Sequence, residues 1–162
     1  MKFERQIIIA TARSVGRSIS PTEQQRLKAI DRKKLNAILD QGSGSCSLAI
    51  PAVAELVAQT LLHFESTRYR LFAWCVMPNH VHTLFRLLGN HDLATVLHAW
   101  KSYSAKRANA LLKRSGEFWQ REYFDHLVRS EDEFHRIVAY ILQNPRKAGL
   151  QHWPWSKSHL TP

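Results

Sequence analysis

The segment Phe72-Ala-Trp-Cys-Val-Met-Pro-Asn-His-Val-His-Thr-Leu-Phe-Arg86 carries the strongest structural signal in this chain. An apolar, β-prone run precedes a Pro78-Asn79 turn, and a second β-prone run begins at His80, which predicts a β-hairpin. Side chains two residues apart on a strand leave the same face of the sheet, so His80 and His82 are expected to be neighbours. Two adjacent imidazoles make half of a metal site or of a catalytic pair.

The other elements follow from hydrophobic periodicity and from capping residues. Helices are predicted to start at Pro51, after an Asp92 N-cap, and at the capping box Ser130-Glu-Asp-Glu133. The predicted order is a strand at 3–13, a helix from 51, strands at 69–77 and 80–88, a helix at 93–114, a strand at 118–129, and a helix from 130 to about 144, where Pro145 should end or kink it. One antiparallel-rich sheet covered by helices, as in ferredoxin-like α+β folds, fits this order best.

Length and composition indicate a soluble single domain spanning residues 1–162, with an irregular tail from about 151 to 162 packed by its tryptophans. No stretch is long and apolar enough to span a bilayer, and no signal peptide is visible. The two cysteines form neither a disulfide framework nor a metal motif. A cytoplasmic, nucleoid-associated location is therefore expected.

The charge of the chain is strongly basic. Lys and Arg number 23 against 13 Asp and Glu, which gives a net charge of +10 and a pI near 10.1. An excess of this size commonly accompanies a polyanionic partner, usually nucleic acid. The basic run from Lys28 to Lys34 is more typical of a solvated helix face than of a specific DNA contact.

The last predicted helix carries a tyrosine that lies outside its apolar stripe. At about 100° per residue, Tyr140 falls well away from that stripe, so the core does not account for it. Asn144 follows one turn later and shares its side of the helix. A helix packed on the sheet would bring both over His80 and His82. The stripe itself consists of Phe134, Ile137, Val138, Ile141 and Leu142.

This combination of side chains suits phosphodiester transfer. Two imidazoles and an amide oxygen can hold a divalent cation that polarises a phosphate. A tyrosine can attack the phosphorus, form a phosphotyrosine and release a 3′-hydroxyl, and the retained bond energy lets the reaction run backwards as strand joining. Judged by spacing alone, however, a His-x-His strand pair is more often structural, and a helical tyrosine more often lies at the edge of a core.

Three motifs resemble one known family, in the right order and spacing. Met77-Pro-Asn-His-Val-His82 resembles the signature of the IS200-like single-strand transposases of the HUH nuclease superfamily. Phe118-Trp-Gln-Arg-Glu-Tyr-Phe-Asp-His126 with Arg129, and Tyr140-Ile-Leu-Gln-Asn-Pro-Arg-Lys-Ala-Gly-Leu150, resemble its REP-associated branch. The resemblance covers roughly residues 45–155.

The resemblance implies a ferredoxin-like HUH fold that cleaves and rejoins single-stranded or hairpin DNA through a 5′-phosphotyrosine, with Mg²⁺ or Mn²⁺. By motif position, Tyr140 would be the nucleophile. The metal ligands would be His80, His82 and Asn144, with Gln143 a less favoured ligand and His126 structural or close to DNA. Phosphate contacts are expected from Lys101, Lys106, Arg107, Lys113, Arg114 and Arg129.

One departure and two alternatives accompany this interpretation. Residues 1–20 differ from the aromatic and Thr-rich first strand that is usual in the family. A domesticated nucleic-acid-binding protein of the same fold would use the same positive charge, with Trp100, Trp119 and Tyr123 stacking on bases. A zinc hydrolase ranks last, because no His-Glu-x-x-His helix is present. Whether the protein acts as a monomer or a homodimer stays open.

Overall fold

The computed structural model describes residues 6–12, 45–121 and 123–160, all of which belong to one compact unit. The elements are β1 (Gln6–Ala12), a 3-10 turn (Ser47–Ala49), α1 (Pro51–Leu62), β2 (Tyr69–Val76), β3 (His80–Leu87), α2 (Leu93–Leu111), β4 (Phe124–Val128), α3 (Glu131–Lys147) and β5 (Ser156–Ser158). The predicted order is confirmed, with one extra strand at its end. The basic run 28–34 lies outside the described residues, and the single domain over 1–162 stays a prediction.

Five strands form one sheet in the order β4-β1-β3-β2-β5, which confirms the α+β class. The predicted hairpin pairs β2 and β3 antiparallel, and β5 is also antiparallel to β2. In contrast, β1 runs parallel to both β3 and β4. Sequence pattern does not fix this direction, because the long connection after β1 can support a crossover. The atypical N-terminal segment nevertheless supplies a central strand.

One face of the sheet is covered by α1 and α2, and its core is aromatic. Tyr69 lies in its centre, with ring centroids 5.6 Å from Phe85 and 5.0 Å from Trp100. The Tyr69 hydroxyl accepts a hydrogen bond from Nε1 of Trp100 at 2.9 Å and donates one to the carbonyl of Leu61 at 2.8 Å. These buried hydrogen bonds satisfy the polar atoms of the core and fix the position of α2.

The opposite face of the sheet carries α3. Ala73, Cys75 and Leu84 of the hairpin pack there against Val138 and Ile141 of the helix. The Ser130 hydroxyl accepts a hydrogen bond from the backbone N–H of Glu133, so the predicted N-cap is confirmed. The histidines of β3 leave the sheet on this same face, because Cys75 and His82 are paired in register.

Four element boundaries differ from the predictions. The helix α2 ends at Leu111 and not at 114, because Lys113 adopts a positive φ of 49° that does not continue a helix. The helix α3 continues through Pro145 to Lys147, because a proline in the last turn removes only one hydrogen bond. The strand predicted at 118–129 is confined to β4, since Phe118 and Trp119 are buried in the aromatic core between the sheet and the helices α1 and α2. The tail is not irregular throughout, because β5 extends the edge of β2 through backbone pairing.

Within the described ranges, no helix has the length and apolar character that a bilayer crossing needs.

Candidate active site

The two histidines of β3 form a close pair. Their Nε2 atoms lie 2.8 Å apart, and Nδ1 of His80 lies 2.7 Å from Oδ1 of Asn79. Because that amide oxygen can only accept, His80 carries its proton on Nδ1 and presents a lone pair at Nε2. The Nε2–H of His82 therefore donates to His80. Asn79, the turn residue, thus sets the tautomer of the imidazole that follows it.

Burial keeps both imidazoles neutral. It lowers the pKa of His80 to about 4. The pKa of His82 is held well below its usual value of 6.5 by complete burial, with a smaller contribution from the charge that His80 would carry. Near neutral pH both side chains are therefore neutral imidazoles with one N–H each, which is the form in which histidine binds metals.

The helix α3 brings Tyr140 against this pair. The rings of His82 and Tyr140 meet edge to face, with centroids 5.6 Å apart and an interplanar angle of 90°. Asn144 is buried one turn later, and its side-chain nitrogen donates to the carbonyl of Tyr140 at 3.1 Å. The amide oxygen of Asn144 is consequently the atom that would serve as a metal ligand.

Tyr140 takes part in the packing of the core more than its helical spacing suggested. Its ring is partly buried and packs against the core beneath α3, so the expectation that the core plays no part there is wrong. Leu142, expected in the buried stripe, is instead 38 % exposed. The helix α3 packs mainly over β2, with further contacts to β5 and β3, and Leu142 lies outside this contact.

The residues present fit a divalent cation. Two ligand nitrogens at about 2.1 Å from one ion, and at right angles to each other, lie roughly 3 Å apart, close to the observed separation. His82 would take its Nδ1-protonated tautomer to free Nε2. No group of three or more His, Cys, Asp or Glu side chains converges in residues 45–121 and 123–160. Among the described residues, the buried amide of Asn144 is the candidate for a third protein ligand.

With this geometry established, residues 52–144 match the family described as "Transposase IS200 like". The chain belongs to this family. The match includes the whole hairpin, α2, β4 and the part of α3 that carries Tyr140 and Asn144.

Two relatives agree with the family assignment. A candidate REP-associated tyrosine transposase of Haemophilus influenzae is 28 % identical over 115 residues, which are 62 % of this chain and 64 % of that protein. The REP-associated tyrosine transposase of Escherichia coli K12 is 27 % identical over 96 residues, 56 % of this chain and 55 % of that protein. The chain thus spans less than two thirds of either relative. No solved structure shows a significant match.

In this IS200-like chain His126 lies beside a carboxylate. Its Nε2 is 2.9 Å from Oε1 of Glu133, and the other carboxylate oxygen accepts from the backbone N–H of Arg129 at 2.8 Å. The contact between His126 and Glu133 thus connects β4 to the start of α3. Arg129 is partly buried, and its Nε has no hydrogen-bond partner among the residues that the structure describes. Gln143 is exposed, unlike Asn144.

The basic residues expected on α2 divide into two groups. Lys101 donates to the carbonyls of Gln120 and Arg121 at 2.7 and 2.9 Å, and Arg114 donates to Oδ1 of Asn109 at 2.9 Å. These hydrogen bonds stabilise the connection between α2 and β4. The others are exposed, namely Lys106, Arg107 and Lys113. Because α2 covers the sheet face opposite the histidines, the charge of these exposed residues lies apart from His80, His82 and Tyr140, which form the His–Tyr cluster.

The three aromatic residues that a DNA-binding protein of this fold was expected to stack on bases differ in exposure. Trp100 and Trp119 are 2 % and 7 % exposed and donate hydrogen bonds inside the core, so they cannot stack on a base. Tyr123 is 37 % exposed, with Nζ of Lys101 5.5 Å from its ring centroid. It is the one member of the set that a base could reach in the described structure.

Two residues near the site were missed by sequence reasoning. Asn79 was treated as a turn residue, although its position directly before His80 was a usable signal. Lys147 was given no role, yet its Nζ lies 5.3 Å from the ring centroid of Tyr140. Its spacing of seven residues from Tyr140, two helical turns, was the available signal.

Proposed function

We propose that this chain is a REP-associated tyrosine transposase that cleaves and rejoins single-stranded DNA at hairpin sites, with Mg²⁺ or Mn²⁺. The observation that supports it best is the perpendicular contact between Tyr140 and His82, whose Nε2 converges with that of His80. A lone helical tyrosine or a lone His-x-His pair would be unremarkable, but their meeting across α3 and β3 supplies a nucleophile and a metal-binding edge together.

The ligands for the cation would be the imidazoles of His80 and His82 and the amide oxygen of Asn144. When bound, the ion would polarise the scissile phosphate and neutralise part of its charge. The chain prepares this site by keeping both imidazoles unprotonated through burial. Asn79 orients His80 by accepting from its Nδ1.

The nucleophile would be the phenol oxygen of Tyr140. A bond forms from this oxygen to phosphorus, the phosphorus–O3′ bond breaks, and the electron pair stays on the 3′ oxygen, which takes up a proton and leaves as a hydroxyl. The phenol proton is lost to solvent. The 5′-phosphotyrosine keeps the bond energy, so attack by another 3′-hydroxyl rejoins DNA. The rigid contacts of Tyr140 with the core hold its ring in place for this step.

The first experiment mixes the protein with labelled single-stranded DNA that carries a short hairpin, with and without Mn²⁺, and resolves covalent adducts on denaturing gels. We expect a metal-dependent adduct that Tyr140→Phe abolishes. Tyr103→Phe is the matched control, because Tyr103 is an exposed tyrosine on α2, which covers the other face of the sheet.

The two variants separate the hypotheses. An adduct that persists in Tyr140→Phe, or that forms equally without metal, would contradict the proposed chemistry. Tight DNA binding without an adduct on any hairpin would favour the domesticated DNA-binding protein instead.

A further inference from the structure

The ring of Tyr140 has one histidine of the pair and a lysine as neighbours. His82 meets the ring edge to face, and Nζ of Lys147 lies 5.3 Å from its centroid. Lys147 is seven residues after Tyr140 in the last turn of α3, so both side chains project from the same side of the helix. Lys147 is exposed, whereas Tyr140 is partly buried.

The charges around the ring make this lysine informative. A phosphodiester carries a negative charge, and Lys147 brings a basic side chain to within 5.3 Å of the centroid of the Tyr140 ring. Lysine binds phosphate as a compact point charge with three donors, and it needs no fixed bidentate geometry to do so.

We propose that Lys147 contacts the scissile phosphate and holds it against the phenol oxygen of Tyr140. This inference rests on the proposed function, because it takes Tyr140 as the nucleophile. Lys147 transfers no group in this step. It stabilises the negative charge that builds up on the non-bridging oxygens in the pentavalent transition state more than that of the bound phosphate, so its loss slows the reaction even at saturating DNA.

Its position 5.3 Å from the ring centroid of Tyr140 distinguishes Lys147 from the other basic residues that the structure describes. Arg146 is also exposed in the last turn of α3, but its side chain leaves the helix about 100° away from that of Lys147. The two residues carry the same charge at almost the same height on the helix. Arg146 is therefore a matched control for general attraction of DNA to this end of α3.

The test compares Lys147→Met, Lys147→Arg and Arg146→Met in single-turnover adduct formation with saturating hairpin DNA and Mn²⁺. We expect Lys147→Met to slow the adduct by about tenfold or more. This is less than the roughly 100-fold caused by losing a buried oxyanion-hole donor, because Lys147 is exposed. Lys147→Arg should keep most of the rate, and Arg146→Met should match the unmodified protein. Equal rates in the two methionine variants would overturn the proposal.

A second measurement tests Lys147 without any cleavage. In a Tyr140→Phe background, binding of the same DNA is followed against salt concentration. Lys147→Met should lower the slope of log K against log salt by about 0.7, the value for one phosphate contact on a single strand, and Arg146→Met should not. If the unmodified protein forms no adduct, the proposed function fails, and this slope alone decides whether Lys147 contacts phosphate.

Discussion

His80 and His82 share a strand face but not an environment. His82 is 2 % exposed and packs beneath Tyr140, whereas His80 lies at the start of β3, partly buried, and is held by Asn79. A buried imidazole contributes packing as well as chemistry. A partly buried one contributes mostly chemistry.

This difference predicts unequal stability costs. His82→Ala should lower the free energy of unfolding by about 2–3 kcal/mol, because it leaves a cavity beneath α3 and removes the partner of His80. His80→Ala should cost roughly 1 kcal/mol, since neighbouring groups and water can fill its place. Urea unfolding of both variants measures this. Both should also lose the metal-dependent adduct, and equal destabilisation would contradict the burial argument.

Cys75 lies on the same sheet face as the histidines, since it is paired with His82 across the hairpin. Its reactivity therefore measures how tightly α3 covers that face. Burial raises the pKa of its thiol to about 12, so almost no thiolate is present at pH 8. Native protein treated with iodoacetamide at pH 8 should therefore be alkylated at the exposed Cys46 and not at Cys75. Mass spectrometry identifies the modified residue. Labelling of both in native protein would indicate that α3 opens from the sheet, and denaturant should expose Cys75 as the positive control.

At the scale of elements, the start of α3 determines where its tyrosine lies. Glu133 joins three segments. Its carboxylate accepts hydrogen bonds from His126 of β4 and from the backbone N–H of Arg129, and its own N–H donates to the hydroxyl of the N-cap Ser130. Tyr140 follows Glu133 after two turns on the same side of the helix. The anchor therefore controls the rotation of α3 over the histidines.

Glu133→Gln should weaken this anchor. Although burial opposes it, the hydrogen bonds from Arg129 and His126 and their charges lower the pKa of Glu133 below its usual value of 4.5. A lowered pKa stabilises the folded state above pH 4.5, and that stabilisation is lost as pH falls through the folded-state pKa. The variant should lose about 1–2 kcal/mol at pH 7, where the carboxylate is ionised.

The pH dependence distinguishes this anchor from a general helix effect. The difference between Glu133→Gln and the unmodified protein, measured by urea unfolding, should shrink as pH falls below 4.5. Asp132→Asn is the control, because Asp132 is exposed in the same first turn and should show only a small helix-dipole effect. A gap that stays constant down to pH 3 would show that Glu133 contributes packing rather than charge.

Local sequence signals predicted the elements that depend on local interactions. The Pro78-Asn79 turn, the Asp92 cap and the Ser130 cap act within a few residues, and each lies where it was predicted. Features set by distant pairing were missed. The parallel direction of β1 and the pairing of β5 with β2 depend on backbone contacts between segments far apart in the chain.

The candidate site divides in the same way. His80 and His82 could be placed on one face because their spacing equals the strand period, and Asn144 could be placed beside Tyr140 because four residues make one helical turn. The roles of those residues stay predictions. Trp100 recurs at helical spacing with the buried Val96 and Leu97, but the burial of Trp119 and the exposure of Tyr123 depend on packing between distant segments and could not be deduced from spacing.

Over the whole molecule, the sheet separates chemistry from most of the charge on α2. The His–Tyr cluster lies on the face covered by α3, whereas Lys106 and Arg107 are exposed on α2, which packs on the other face. A substrate that touches both regions must pass around the sheet. A hairpin with a single-stranded extension offers more length for such a path than a short single strand does.

This separation predicts that Lys106 and Arg107 affect binding and not chemistry. Lys106→Gln combined with Arg107→Gln should lower affinity for a hairpin with its extension, and should reduce the slope of log K against log salt by roughly 0.7 to 0.9 per residue. Binding of a six-nucleotide single strand should change little. At saturating DNA the rate of adduct formation should equal that of the unmodified protein, in contrast to Lys147→Met. A slowed rate at saturation would mean that α2 also orients the scissile phosphate, and an unchanged salt slope would mean that DNA does not reach α2.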